Sequence, residues 1–308
     1  KIPSVEIILA TYNGEAYLDL FLDSLLKQKF QNFKIHVRDD GSTDQTLKII
    51  NKFKQFLNIE IINDNKKNIG FYGNFAEILN YSKADYLFLA DQDDIWDQNK
   101  ISEYLEIFEK SGCLAIFSPF QLIDEQGHLL QREMLQGFTP ADSHRVYFWG
   151  NNATGCTMAL RRTLLYDVRL NSKAHYHDWK IALTAARRNG LHFFRHPLTL
   201  YRVHQSQSSY FNNRTKSIFD IQQKLLNFRR GGVEQVENLR SIINEPVYLA
   251  NREEIKRSLE LHKLMSSNKF EARMLPLTLK ILYKRDYVSF KSLVYKNIIN
   301  FCKFWYHE

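Results

Sequence analysis

Three carboxylates within four residues, Asp91-Gln92-Asp93-Asp94, directly follow the apolar run 86–90. Carboxylates this close repel one another, and burying them costs free energy unless a cation offsets the charge. Their oxygens suit Mg²⁺ or Mn²⁺, and such an ion keeps part of its water and takes ligand phosphates as well. The other reading is a solvated turn in which Asp97 caps the next helix. A second acidic turn, Asp39-Asp40-Gly41-Ser42-Thr43-Asp44, closes the run 34–38. By itself it reads as a helix cap, because Asp44 favours a helix N-terminus. On the same sheet edge as the first turn it becomes a candidate for holding a base or ribose. Asp178 follows His175-Tyr176-His177 at the head of a helical stretch. There it is either an N-cap or a general base acting on a hydroxyl. His204, in Tyr201-Arg202-Val203-His204, is a core or surface histidine or a third ligand for the same cation. His196, before Pro197, reads as a turn residue.

The elements that must position these groups alternate. Residues 5–10 are apolar but for Glu6 and run into the polar turn Thr11-Tyr12-Asn13-Gly14. Residues 17–28 place Leu18, Phe21, Leu22, Leu25 and Leu26 at helical spacing. After the strand 34–38, Ser42 with Gln45 three residues on reads as a capping box for a helix to about residue 56. A third strand at 59–62, a loop over 68–74, a helix over 75–81 and a fourth strand at 86–90 follow. This βαβ alternation predicts a mainly parallel sheet, with ligands bound beyond the carboxyl ends of its strands. Three of the four strands end in Asn- or carboxylate-rich turns, so the turns are expected to share one crevice. Further short strands are expected at 114–118, 191–194 and 198–201, with a small-residue loop at 150–160 leading into another.

Composition narrows the class. The chain has 308 residues, 44% hydrophobic and 25% charged, the balance of a folded chain rather than a disordered one. No run reaches the roughly 18 apolar residues of a membrane span, and Ile2 leads straight into a strand rather than a leader pattern. Three widely spaced cysteines, Cys113, Cys156 and Cys302, argue against a disulfide framework or a metal finger. A reducing, cytoplasmic setting is therefore expected. Residues 1–213 hold 24 basic and 24 acidic residues, and residues 214–308 hold 18 and 10, so the whole net charge of +8 lies in the tail. With the last glycines at 231 and 232, that tail reads as a basic helical extension, helical around 255–264 and 275–283. The expected boundary lies in 206–215, dividing the chain into 1–213 and 214–308.

The ordered set Ala10-Thr11-Tyr12-Asn13-Gly14, Arg38-Asp39-Asp40-Gly41-Ser42-Thr43-Asp44, Asn68-Ile69-Gly70, Asp91-Gln92-Asp93-Asp94-Ile95-Trp96 and His177-Asp178-Trp179 resembles the inverting family-2 glycosyltransferases of GT-A fold. With Leu200-Tyr201-Arg202-Val203-His204, it looks most like their rhamnosyltransferase-like branch, which assembles bacterial cell-surface polysaccharides. The resemblance spans about 4–210. It implies a Rossmann-like sheet flanked by helices and a nucleotide-sugar donor, dTDP-rhamnose before UDP-hexose or UDP-N-acetylhexosamine. By resemblance, Thr11, Tyr12 and Asn13 line the nucleotide pocket, Asp40 faces the base or ribose, and the Asn68 to Gly70 loop closes over it. Asp93 is the direct ligand of a Mn²⁺ or Mg²⁺ ion, with His204 completing its coordination and Asp91 nearer the ribose. Asp94 contacts the sugar, Arg202 belongs to the donor site, and Asp178 is the base. The resemblance implies a single displacement with inversion. Processive synthases carry Gln-x-x-Arg-Trp where this chain has Tyr201-Arg202-Val203-His204-Gln205, which favours single-sugar transfer or short extension.

The tail interleaves Lys280, Lys284, Arg285, Lys291, Lys296 and Lys303 with aromatic and aliphatic residues. This suits a helix lying on an anionic membrane, where lipid-linked acceptors reside, or a subdomain at a homodimer contact. A nucleotidyltransferase would open on a Gly-rich basic loop, and the turn at 11–14 is neither. A nucleic-acid module is disfavoured because the basic charge avoids the acidic crevice and no recognition motif is present. A non-catalytic carbohydrate-binding scaffold stays open on pattern alone.

Overall fold

A computed structural model describes residues 3–66, 68–134, 151, 153–168, 170, 177–204, 236, 239–240 and 252–266. Along the chain these form β1 (Val5–Thr11), α1 (Leu18–Leu26), β2 (Phe33–Asp39), α2 (Thr46–Phe53), β3 (Ile59–Ile61), α3 (Gly70–Tyr81) and β4 (Tyr86–Ala90). Next come β5 (Ile95–Trp96), α4 (Lys100–Ser111), β6 (Ala115–Phe117), β7 (Phe120–Ile123), β8 (Leu129–Met134) and β9 (Ala159–Arg161). The series ends with α5 (His177–Arg187), β10 (Leu191–Phe193), β11 (Thr199–Arg202) and α6 (Arg252–Ser266).

The main sheet has seven strands in the order β10-β6-β9-β4-β1-β2-β3. β1 pairs in parallel with β2 and β4, β2 with β3, and β6 with β10. β9 alone runs antiparallel, between β4 and β6. The unbroken apolar runs of β1 and β4 are explained by this: both are buried along their whole length, as a parallel sheet covered on both faces requires. α1 turns Leu18, Phe21, Leu22 and Leu25 inward at helical spacing, onto a core that includes Ile7, Leu9, Ile35 and Phe88. A second, four-stranded sheet, β5-β11-β7-β8, had no counterpart among the sequence expectations. It brings the end of β11 alongside the turn after β4.

Two local expectations are corrected. Ser42 does not cap α2. Its hydroxyl donates to Asp39 Oδ1 at 2.5 Å, while the Thr46 N–H donates to Asp44 Oδ1 at 3.0 Å, so Asp44 is the cap. α3 begins at Gly70 rather than residue 75, because Asp40 accepts the N–H groups of Ile69 and Gly70 at 3.0 and 2.8 Å. The carboxylate thus satisfies donors a helix start leaves orphaned, and Gly70 supplies the φ of +78° at the entry. Gly73 and Asn74, loop-like in sequence, are buried within the helix.

The chain divides into two compact units, 1–140 with 151–212, and 141–150 with 213–308. In the second unit α6 buries Ile255, Ser258 and Leu259, on one face. The basic residues from 280 to 303 lie outside the described residues. No helix among the described residues is long and apolar enough to cross a membrane.

Candidate active site

Because β1, β2 and β4 are parallel neighbours, their terminal turns share one sheet edge, and hydrogen bonds knit them together. The Tyr12 N–H donates to Gln92 Oε1, and Gln92 Nε2 donates back to the Tyr12 carbonyl, both at 3.0 Å. Asn13 donates its N–H to Ser42 Oγ at 2.8 Å and accepts the Thr43 N–H on Oδ1 at 2.9 Å. Asn13 takes a φ of +46°, a left-handed conformation that asparagine tolerates. A Cβ on Gly14 would displace the Gln92 amide from its paired bonds with Tyr12. Thr11 is buried with its hydroxyl on Asp39 Oδ1 at 2.9 Å, whereas the Tyr12 ring is 50% exposed and open to a ligand.

At the end of β2 every carboxylate has its donors. Buried Arg38 donates from Nη1 to Asp40 Oδ1 at 2.9 Å and Asn74 Oδ1 at 3.1 Å. Its Nε and Nη2 hold the Asp64 carboxylate at 2.9 and 3.1 Å. With both oxygens engaged, Asp40 has a task its sequence did not signal: it ties the 68–70 loop to β2. Asn68 and Gly70 are exposed beside it.

At the end of β4 the charges are not matched. One donor atom each from Asp91, Asp94 and Cys156 lies within 4.8 Å of the others. Burial, then Asp94, Asp93 and Asp178, push the Asp91 carboxyl well above the usual range. Burial and Asp93 push Asp94 up to about 8. Asp94 is fully buried; its Oδ1 accepts the Arg202 N–H at 3.3 Å, and its Oδ2 has no hydrogen-bond partner. That carboxylate is therefore shielded from solvent rather than open toward a sugar. Asp93 points another way, with Oδ2 2.8 Å from His204 Nε2. The His204 ring packs 4.9 Å from Tyr17, and the Arg202 guanidinium lies 4.7 Å over the same tyrosine. Arg202 is buried and donates to the carbonyls of Asp93 at 3.0 Å and of Asp124 and Glu125 at 3.1 Å, so it pins the acidic turn. The expected cation ligands thus fall into two groups, Asp93 with His204, and Asp91 beside Asp94 and Cys156. One carboxylate and one imidazole in contact, next to two further carboxylates that share only the Lys100 ammonium, form a donor set that fits a divalent ion.

Asp178 stands in the first turn of α5. Its Oδ1 accepts the Trp179 N–H at 2.7 Å, and its Oδ2 accepts the Gly155 N–H at 3.1 Å. Burial pushes its carboxyl up to about 6, into the range of a working base. Its partner Gly155 precedes Cys156, whose Sγ lies within 4.8 Å of Asp91 and Asp94 oxygens, so the 155–156 turn joins Asp178 to the end of β4. His177 is buried, stacked 4.2 Å from Phe75, and burial pushes its imidazole down to about 3, so it stays neutral beside Asp178. Sequence reading missed Cys156, weighed only for disulfides and fingers, and Lys100, an unremarkable residue of an amphipathic helix.

A parallel-dominated sheet flanked by helices, with carboxylates gathered at its strand ends, is the architecture of the GT-A glycosyltransferases. Residues 6–169 match the glycosyl transferase family 2 profile, and the chain belongs to that family. It is similar to the dTDP-rhamnosyl transferase RfbG of Shigella flexneri, 29% identical over 64% of this chain and 72% of that one. It is also similar to the UDP-Glc:alpha-D-GlcNAc-diphosphoundecaprenol beta-1,3-glucosyltransferase WfgD of Escherichia coli, 25% identical over 70% of this chain and 82% of the other. Among solved structures, S. aureus TarS 1–349 in complex with UDP-GlcNAc superposes with a TM-score of 0.59 at 18% identity, covering 91% of this chain and 79% of TarS.

Proposed function

We propose that this glycosyltransferase moves one sugar, with inversion, from a nucleoside diphosphate sugar to a hydroxyl of a saccharide or lipid-linked acceptor in bacterial cell-surface polysaccharide synthesis. The observation that carries this reading is the junction at the 155–156 turn: Gly155 donates to Asp178, and the next residue, Cys156, lies beside Asp91 and Asp94 at the end of β4. L-Rhamnose from dTDP-rhamnose is the first donor, supported by the ordered motifs and the Shigella relative. A UDP-hexose is the second, supported by the E. coli relative.

Asp178 takes the proton of the acceptor hydroxyl. The N–H groups of Gly155 and Trp179, with the Asn151 side chain, fix its two oxygens, and a remaining lone pair takes that proton. The hydroxyl oxygen then attacks the anomeric carbon from the face opposite the diphosphate, and the sugar–phosphate bond breaks. Tyr12, half exposed at the end of β1, offers its ring to the base of the donor. Asp93 and His204, with Asp91 alongside, would hold Mn²⁺ or Mg²⁺, which when bound supplies positive charge against the diphosphate. Arg202 keeps the acidic turn in place for that task. The basic tail would bring the enzyme to the anionic inner face of the membrane.

The test combines donor binding and turnover. In Mn²⁺, dTDP-rhamnose at 100 times its dissociation constant should add about 2.7 kcal/mol of apparent stability, and UDP-glucose less. Asp178→Asn should keep that shift and lose about 10²–10⁴ in nucleotide release with acceptor present. Near-wild-type turnover in this variant removes Asp178 as the base.

A further inference from the structure

Lys100 opens α4 with its side chain fully buried. Its Nζ donates to the Cys156 carbonyl at 2.6 Å and to Thr199 Oγ1 at 2.9 Å, and it lies 3.8 Å from the centre of the Trp96 ring. Two hydrogen bonds and one ring face take up an ammonium's three donor directions. Burying an ammonium costs several kcal/mol, and a methionine would fill the same space without that cost. The bonds it makes show what the charge does.

Cys156 sits in the turn Gly155–Thr157, whose first N–H grips Asp178. The approach there is close: a Cβ on Gly155 would come within 3.3 Å of His177 Nε2 and 3.5 Å of Asp178 Cβ. Thr199 begins β11, the strand that leads to Arg202 and on to His204 beside Asp93. The same ammonium also faces Asp94 and Asp91, whose charges act on it. One side chain therefore bonds the turn that seats the base and the strand that delivers the histidine.

We propose that Lys100 is a positioning residue for the transfer reaction, clamping the 155–157 turn to β11 and so fixing Asp178 relative to Asp93 and His204. The inference rests on Asp178 being the base, as proposed above. It predicts that loosening the clamp costs rate more than donor affinity, because a misplacement of about 1 Å can cost on the order of 10²-fold.

The test uses the full chain as Lys100→Met and, as the milder variant, Thr199→Val. Without any donor, mass-spectrometric hydrogen exchange over 155–157 should quicken at least about tenfold in both, with α1 unchanged. With whichever of dTDP-rhamnose and UDP-glucose the wild type turns over, kcat should fall about 10–100-fold while the donor KM stays within about twofold. The acid limb of kcat/KM should move to higher pH, since Asp178 loses an N–H that favours its charged form. A merely structural lysine would lower the melting temperature and leave the limb, kcat and exchange over 155–157 in place, which overturns the proposal. If Lys100→Met does not fold, Thr199→Val decides by the same readings. A wild-type chain inert on every nucleotide sugar sinks the transferase reading, and the exchange arm still decides the clamp.

Discussion

The acidic ends of β2 and β4 lie on one edge of the sheet, separated by β1, and in sequence they look alike. Physically they are opposites. After β2, Asp39 accepts the Ser42 N–H at 2.8 Å and Asp44 caps α2. Asp40 binds Arg38 and the start of α3. After β4, Asp91 and Asp94 carry carboxyls pushed upward by burial and by neighbouring carboxylates, and an Asp94 oxygen lacks a partner. A turn whose carboxylates are all spoken for is scaffold. One that leaves them frustrated is waiting for positive charge, and Lys100, which burial pushes down to about 7, supplies only part of it. The lesson concerns partners rather than composition: counting aspartates ranks the two turns equally, while counting their donors separates them.

Substitution should separate them most sharply through stability. Arg38→Met strands Asp40 and Asp64 without their buried cation, and breaking such a pair costs about 3–5 kcal/mol. Urea unfolding should show that loss as a lower midpoint at unchanged slope. Asp94→Asn should sit within about 1 kcal/mol of the metal-free wild type at pH 7. With its carboxyl pushed up to about 8, Asp94 is already mostly protonated there, and Asn mimics that form. Equal losses in the two variants would erase the distinction drawn here.

The next effect is a pH dependence at the second turn's partner. Because burial raises Asp178 to about 6, the base form is present above that value and is lost as pH falls through it. The expected kcat/KM therefore drops about tenfold per pH unit below 6, where an ordinary aspartate would place the limb near 4. A limb near 4 would mean a solvated base.

Much of this was legible in the chain. The strand–helix alternation gave the parallel sheet, since buried parallel strands need unbroken apolar runs such as 86–90. Asp178 and His204 could be singled out because each stands beside a recognisable local pattern. The remainder was hidden by distance along the chain. Lys100 meets partners 56 and 99 residues away, so its burial leaves no trace in local periodicity. The start of α3 depends on Asp40, about 30 residues upstream, and no pattern around Gly70 announces it. Strands of two to four residues, such as β5 and β7, are too short to show an alternation.

The smallest effect falls on the scaffold side and refines its meaning. Burial alone would push Asp44 up, yet hydrogen bonds from the Thr46 hydroxyl and the N–H groups of Glu15 and Thr46 hold its carboxyl below the usual range. A group lowered in the folded state stabilises above its unfolded value and loses that contribution as pH falls through the folded one. Asp44→Ala should therefore cost about 1 kcal/mol at pH 7, typical of a lost cap. The gap to wild type should close once the pH is well below about 4, where both chains lack the charge. Urea midpoints at pH 7 and pH 3 read the difference. Since Asp44 also seats the loop after β1 through the Glu15 N–H at 3.0 Å, the same variant should loosen Tyr12 and raise the donor KM with kcat retained. A fall in kcat instead would place this turn in the chemistry, and the division between scaffold and reaction centre would have to be redrawn across β1.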